Sequence, residues 1–344
     1  AAPPIEIAAG PLGRLQFNGT ISVLGLWQGQ SVAGNRAARA DLGNGMVFLQ
    51  KTSGPVQFYL QAGAYNVPIL GVKYLSTGDT VHDFFGPVPV AYLKVPLGGN
   101  ANIEAGVLPT LIGAEDTFTF QNLNVARGLL WNQENDVNRG VQINDAVGKW
   151  SGSLSWNDGY YSNRYTWIIA EMSYALSAAH AIEVVGGGNL GRTAARTLAT
   201  PVQNNSRIVD VIYSYTHGPW IVQPYLQVTG VPTDPSAGVA RGAATRGAAV
   251  LASYTFKDRF SLAGRAEYLR STGSAAQGSV NLLYGAGSRA WSFTVTPGWQ
   301  RQRFFARADL GVVGAARTTP GEAFGPAGAS RHQARSLLEA GLLF

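Results

Sequence analysis

Apolar and polar residues alternate along most of this 344-residue chain, in pieces of about ten to fifteen residues separated by turns. Strict alternation indicates β-strands with one apolar and one polar face. No run approaches the roughly 18 apolar residues that a spanning helix needs. Sixteen segments follow this pattern: Arg14–Gln28, Met46–Lys51, Val56–Ala64, Val88–Val95, Ala101–Thr110, Asn138–Asp145, Trp150–Asn157, Thr166–Leu176, His180–Asn189, Ser206–Tyr215, Trp220–Thr229, Ala248–Phe256, Phe260–Leu269, Trp291–Gln300, Phe304–Val313 and Arg335–Phe344.

Short connections alternate with long ones between these segments. The longer loops run over 29–45, 65–87, 111–137, 158–165, 190–205, 230–247, 270–290 and 314–334. Short turns on one rim and long loops on the other are typical of bacterial outer-membrane barrels. The sequence predicts an all-β fold: a transmembrane antiparallel β-barrel of about sixteen strands, with short periplasmic turns and long extracellular loops. Residues 14–344 form the barrel domain, and residues 1–13 are an N-terminal segment after signal-peptide removal.

The charge content favours a wall with one lipid-facing side. Only 13% of the residues are charged, about half the usual share, which is too little for a soluble monomer. In Trp291–Gln300 the odd-numbered residues are apolar and should face lipid, while the even-numbered ones should face the lumen. Pro297 removes a ladder donor, which predicts a local irregularity.

Aromatic residues at the short turns predict an interfacial girdle: Trp150, Trp220, Phe256, Phe260 and Phe304.

Several long strings resemble the OmpL-like β-barrel porin family of Gram-negative outer membranes. They are LPTLIGAEDTFTFQNLNVARGLLWNQEN (108–135), SWNDGYYSNRYTW (155–167), NLLYGAGSRAWSFTVTPGWQ (281–300), FFARADLGVV (304–313) and the terminal LLEAGLLF. The resemblance covers most of the chain after about residue 56. It implies an outer-membrane channel in which small hydrophilic solutes or ions diffuse passively, and it permits a homotrimer.

The stretch that follows Leu108 interrupts the alternation, and it is the third long loop. Loop 111–137 should fold into the lumen, because its aromatic and leucine side chains need burial. Two wall segments each place a basic and an acidic residue two positions apart, Arg265 with Glu267 and Arg307 with Asp309. Residues two apart lie on one face of a strand, and this face should be the lumen, because Arg facing lipid costs roughly 2–4 kcal/mol. These wall charges either select solutes or pair with each other. The predicted constriction comprises Glu115, Asp116, Arg127, Lys94, Arg265, Arg307, Glu267 and Asp309.

Other classes of function have little support in the sequence. Hydrolysis needs a nucleophile and a base oriented by a third group, and the four histidines lie in no such motif. We therefore predict no enzyme activity, no cofactor, no metal site and no nucleic-acid partner. A solute-specific channel and a scaffold barrel around a partner protein are the alternatives. The formal charge of +6 suggests anion preference, although lumen charges outweigh surface charges.

Overall fold

The structure is a computed structural model, and it describes residues 4–193, 202–257 and 259–344. Sixteen antiparallel strands form a closed barrel, and a short strand precedes them. Each barrel strand pairs with its neighbours in sequence, as predicted. The strands are β1 (Ile5–Ala8), β2 (Arg14–Gln28), β3 (Ala38–Lys51), β4 (Gln57–Tyr65), β5 (Val90–Gly98), β6 (Ala101–Pro109), β7 (Val137–Val147), β8 (Trp150–Asn157), β9 (Trp167–Ala175), β10 (His180–Asn189), β11 (Arg207–His217), β12 (Trp220–Val231), β13 (Ala243–Phe256), β14 (Phe260–Ser271), β15 (Arg289–Arg301), β16 (Phe304–Ala316) and β17 (His332–Leu343).

The barrel closes between its first and last strands. β17 pairs with β2 from Arg335 opposite Gln28 to Leu343 opposite Thr20. Beyond β17, the backbone amide of Phe344 donates to Gly19, and the amide of Gly19 donates back. The predicted N-terminal segment contains β1, which the alternation did not reveal. β1 pairs with the start of β2, so it covers the edge that β17 leaves open there.

The two faces of the wall follow the alternation. On β15, Trp291 and Phe293 are about half exposed, whereas Ser292 and Thr294 are buried inside the barrel. Half-exposed tryptophan and phenylalanine in rows would be an aggregation hazard in water, and they suit a lipid-facing surface. The ladder between β15 and β16 skips from Val295 to Gly298, which confirms the irregularity expected at Pro297.

Aromatic side chains ring the outer surface near both rims. The five girdle residues expected at the short turns are all 46–59% exposed. A second set near the long loops was not predicted: Trp27, Trp156, Tyr268 and Trp291, which are 44–53% exposed. Two aromatic belts bracketing an apolar band match the two interfaces of a bilayer.

The wall is higher on one side than on the other. The strands from β4 to β9 have 8 to 11 residues, and those from β13 to β16 have 12 to 14. We call β4–β9 the low wall and β13–β16 the high wall. β3 and β13 begin at Ala38 and Ala243, several residues before the predicted starts at Met46 and Ala248. Polar residues such as Asp41 and Thr245 resemble loop in sequence, but they extend the wall past the apolar band.

The second long loop, residues 66–89, contains a helix that the sequence analysis missed. α1 (Thr77–Asp83) begins after Ser76, whose hydroxyl accepts a hydrogen bond from the Asp79 amide at 3.2 Å. This N-cap satisfies one of the amides left free at a helix start. No helix among the described residues is long and apolar enough to cross a membrane. Part of the predicted loop 190–205 lies outside the described residues, as does Asp258 in a predicted turn.

Candidate pore constriction

The third long loop, residues 110–136, folds into the lumen and lies against β14 and β16. Glu267 on β14 accepts hydrogen bonds from the backbone amides of Leu129 at 2.9 Å and Leu130 at 3.2 Å. Asp309 on β16 accepts from the amides of Val125 at 3.0 Å and Ala126 at 2.6 Å. Two wall carboxylates therefore bind successive amides of the loop, which confirms the predicted inward folding.

Arg265 is the central ion in this loop–wall contact. Its guanidinium lies 2.5 Å from Glu115 on the loop and 3.2 Å from Glu267 on its own strand, and all three side chains are at most 1% exposed. It also donates to the carbonyl oxygen of Ala126 at 2.7 Å. Burying charges in a low-dielectric environment is costly, and ion pairing together with hydrogen bonding offsets this cost for Arg265, Glu115 and Glu267.

Arg127 organises the loop from within. Its fully buried guanidinium donates to loop carbonyl oxygens, including Asp116 at 2.9 Å and Val125 at 2.6 Å. Its backbone joins the second long loop: the Arg127 amide donates to Pro68 at 2.8 Å, and the Leu70 amide donates to Arg127 at 2.9 Å. Arg127 therefore ties two loops together inside the barrel.

A second ion pair fastens the loop on the short-turn side. Arg307 lies 2.5 Å from Glu339 on β17, and it donates to the carbonyl oxygens of Thr119 and Asn122 at 2.8 and 2.7 Å. Glu339 also accepts hydrogen bonds from the hydroxyl of Thr119 at 2.8 Å and from Ser22 at 2.9 Å. The first and last barrel strands thus both contribute to loop anchoring.

Apolar loop side chains fill much of the remaining space. Phe118, Leu129, Leu130 and Trp131 are at most 3% exposed, and Phe118 packs edge-on against Tyr65 of β4 with ring centroids 5.2 Å apart. Burial of these side chains, which the sequence required, takes place in the lumen. The loop is consequently a packed partition with cavities on either side.

The eight predicted constriction residues divide into two groups. Six join the buried loop–wall contact: Glu115, Arg127, Arg265, Arg307, Glu267 and Asp309. For five of them the expectation that they line the water path needs correction, because each is at most 5% exposed and bound to the loop or the wall. Arg307 is partly exposed and borders the cavity on the short-turn side. Asp116 is exposed, and Lys94 pairs with Glu104 at 3.2 Å on a different part of the wall.

Open cavities lie on both sides of the loop. A cavity of about 480 Å³ opens toward the short-turn rim, lined by Asn122, Arg259, Gln300 and Arg307 among others. Another of about 400 Å³ opens toward the long-loop rim, beside Gln133, Gln203 and Tyr284. Partly exposed polar side chains also face inward from β5, β6, β9 and β10, including Lys94, Glu104, Glu171 and Glu183.

The model of the family described as "Putative beta-barrel porin-2, OmpL-like" matches residues 14–344. The chain belongs to this porin family. It is a β-barrel channel of the Gram-negative outer membrane, so the short-turn rim is periplasmic and the long-loop rim extracellular. Among curated protein sequences, none matches the porin.

Solved structures share the fold with little sequence identity. OmpT of Vibrio cholerae superposes with a TM-score of 0.62 at 12% identity, over 99% of this chain and 100% of that one. DcaP, an outer-membrane channel of Acinetobacter baumannii, gives 0.64 at 10% identity over 96% and 97%. OmpF of Salmonella typhi gives 0.62 at 12% identity over 99% and 100%. All three are outer-membrane barrels of full matching length.

Two anchors on the closing strand were absent from the predicted site. Glu339 receives the loop contacts described above, and Arg335 donates to the carbonyl oxygens of Ile69 and, at 2.6 Å, Val72 in the second long loop. The alternation places both side chains in the lumen. Their partners lie more than 200 positions away in the chain, and no local pattern identifies such distant contacts.

Proposed function

We propose that this porin passes small hydrophilic solutes and prefers cations. The carrying observation is that, within the described ranges, the unpaired, water-exposed charges facing the lumen between the two rims are carboxylates, whereas the unpaired Arg259 lies in a turn at the short-turn rim. Asp116 on the loop is exposed, and Glu171 and Glu183 are partly exposed on the inward faces of β9 and β10. Among the described residues, none of these three carboxylates forms an ion pair. Lumen charges of one sign favour ions of the other sign.

The positive charges on the inner face of the wall and on the loop are either paired or buried. Arg265 and Arg307 form ion pairs with carboxylates, while Arg127 and Arg335 are buried and donate to carbonyl oxygens. Lys94 retains 36% exposure, but its ammonium lies 3.2 Å from Glu104. An ion passing Lys94, Arg265 or Arg307 experiences a paired charge, whose field largely cancels in water, while Arg127 and Arg335 do not face the water.

Two further loop carboxyls contribute little charge. Burial, together with nearby Asp210, raises the pKa of the Glu134 carboxyl well above its ordinary value. Burial also raises the pKa of Asp136 well above its ordinary value. Their neutral forms are favoured, so the negative field comes chiefly from the three carboxylates named above. Burial also raises the pKa of Asp116, against the effect of Arg127, so this field should strengthen as the pH rises. The proposal reverses the anion preference suggested by the net charge of +6, which counts arginines that are paired inside the barrel.

Replacing both wall carboxylates should weaken the selectivity. In E171Q/E183Q, the ratio of potassium to chloride permeability should fall several-fold. A unit charge about 8 Å from a passing ion is worth about 0.5 kcal/mol in water. The measurement is the reversal potential of single channels in a potassium chloride gradient.

The control is E322Q, which removes an exposed carboxylate from the last long loop and should leave the permeability ratio unchanged. K94Q should raise the ratio, because it leaves Glu104 unpaired. A wild-type channel that prefers chloride, or a double variant with wild-type selectivity, would contradict the proposal.

The same recordings separate the alternative functions. Passive diffusion predicts current proportional to voltage and no block by individual solutes. A solute-specific channel predicts block of the current by one solute at low concentration, and a scaffold barrel predicts negligible conductance. The family assignment supports the channel reading over a scaffold. It also supports the absence of enzyme activity, which we propose for this chain.

We further propose a homotrimer associated through the low wall. One related structure, OmpT of Vibrio cholerae, is described in a trimer form. The low wall carries exposed apolar side chains such as Leu154 (51%), comparable with Leu310 (56%) on the high wall. In a trimer, the first would be covered by a neighbouring copy and the second would face lipid.

The absence of cysteine from the sequence allows a direct test. A fluorescent maleimide on Leu154→Cys should be shielded from brominated lipid, while the same label on Leu310→Cys should be quenched. Light scattering in detergent should give the mass of three copies. Equal quenching at both positions, with a monomer mass, would rule out the trimer.

A further inference from the structure

Three arginines lie side by side on the outer surface of the high wall. Arg246 on β13 is directly opposite Arg270 on β14, and Arg270 is directly opposite Arg289 on β15. All three belong to the outward-facing register, and Arg246 and Arg270 are exposed. Neighbouring strands are about 4.8 Å apart, so three guanidinium groups occupy a small area. We call these residues the arginine row.

Among the residues that the structure describes, no carboxylate compensates the charge of the arginine row. Among the described residues, none of the three forms an ion pair or a side-chain hydrogen bond. The carboxylates on β11–β16 are Asp210, Glu267 and Asp309, and all are buried inside the barrel. The loop over 272–288, which joins β14 to β15 above the row, contains no charged residue. Like charges placed directly opposite in a sheet are unfavourable, so an external anion would relieve the repulsion.

The height of the row on the barrel identifies the kind of anion. One rung toward the membrane centre, Tyr268 is opposite Trp291 in the extracellular aromatic belt. Aromatic belts lie at the level of the lipid headgroups. The row is therefore immediately beyond the apolar band, on the side of the outer leaflet, where a lipid anchored beside Tyr268 and Trp291 would present its headgroup.

We propose that the arginine row binds the phosphate groups of a phosphorylated lipid of the outer leaflet. Arginine matches phosphate with paired, charge-assisted hydrogen bonds, and three adjacent guanidinium groups can bind a headgroup with more than one phosphate. The acyl chains would lie along the apolar outer face below, which includes Phe293 and Val250. This site is on the outside of the wall and does not depend on the proposed cation preference.

The test is native mass spectrometry of the detergent-solubilised porin with bisphosphorylated lipid A as the probe. The wild type should retain the lipid, and R246Q/R270Q/R289Q should bind it at least about tenfold more weakly, as expected when charged hydrogen bonds are lost. The variant K257Q/R301Q/R303Q removes three exposed positive charges at the periplasmic turns and should bind like the wild type. High salt should reduce wild-type binding, because exposed charges are screened.

Further arms identify the source of the phosphate and check the fold. Fully dephosphorylated lipid A should be retained no better by the wild type than by the triple variant. R246K/R270K/R289K, which keeps the charge but not the planar fork, should bind with intermediate strength. Heat-modifiable electrophoretic mobility and conductance report whether each variant is folded. If the triple variant does not fold, the single variant R270Q replaces it in the binding test and should also bind the lipid more weakly than the wild type. The proposal would be overturned if wild type and glutamine variants retained bisphosphorylated lipid A equally, or if the wild type retained the dephosphorylated lipid as well as the bisphosphorylated one. Displacement by inorganic phosphate at equimolar amounts would show a free-phosphate site instead.

Discussion

Deleting residues 115–131 is expected to raise the single-channel conductance several-fold while the barrel remains closed. This segment supplies Glu115, Arg127 and the buried apolar side chains that partition the lumen. The ladder from β2 to β17 uses no residue of the segment, so the wall does not require it. A barrel of sixteen strands without an internal loop leaves an aqueous channel. Planar-bilayer recording measures the change.

A matched variant replaces 115–131 with a glycine–serine linker of the same length. It keeps the chain length but removes every anchor and apolar side chain, so its conductance should also rise and fluctuate more. Heat-modifiable mobility should show a folded barrel in both cases. Conductance at the wild-type level in both variants would show that the segment does not restrict the channel.

Arg265→Met should lower the free energy of unfolding by about 3–5 kcal/mol, the usual result of removing one partner from a buried charge group. The substitution leaves Glu115 and Glu267 buried side by side without their cation. Unfolding by urea in lipid vesicles, followed by tryptophan fluorescence, gives the difference. The loop should also be held less firmly, so open-channel current noise should increase.

The cause of that loss can be separated from lost packing. In E115Q/R265M/E267Q the two unpaired charges are gone, and much of the stability should return. K94M breaks a partly exposed pair with Glu104 and should cost at most about 1 kcal/mol. If R265M costs no more than K94M, or if the triple variant is no more stable than R265M, uncompensated buried charge is not the cause.

The wall could be predicted from sequence because its pattern is local. The odd-numbered residues of β15 face lipid and the even-numbered ones face the lumen, as the alternation between Trp291 and Gln300 implied. The limits of β3 and β13 were less certain, since polar residues beyond the apolar band resemble loop. α1 and β1 are too short to show a period of their own.

The constriction was only partly predictable for a different reason. Alternation placed Arg265, Glu267, Arg307 and Asp309 in the lumen, and the interrupted pattern marked the third loop. The partner of each charge, however, depends on contacts such as Glu115 with Arg265, which are 150 positions apart. A sequence of charges does not show whether each is solvated or buried in a pair. The open choice between solute selection and mutual pairing therefore required the structure.

The anchoring of both inner loops on β17 has a consequence for the order of assembly. Glu339 and Arg335 belong to β17, the strand that closes the barrel against β2. Pairing strands from opposite ends of the chain is slow, because the longest possible loop must be closed. The Arg335 guanidinium, which donates to Ile69 and Val72, and the Glu339 carboxylate, which accepts from Thr119, come into place only at that final step. Until then the third loop is bound by other strands, among them β14 and β16, so closing the wall also completes the anchoring of both inner loops.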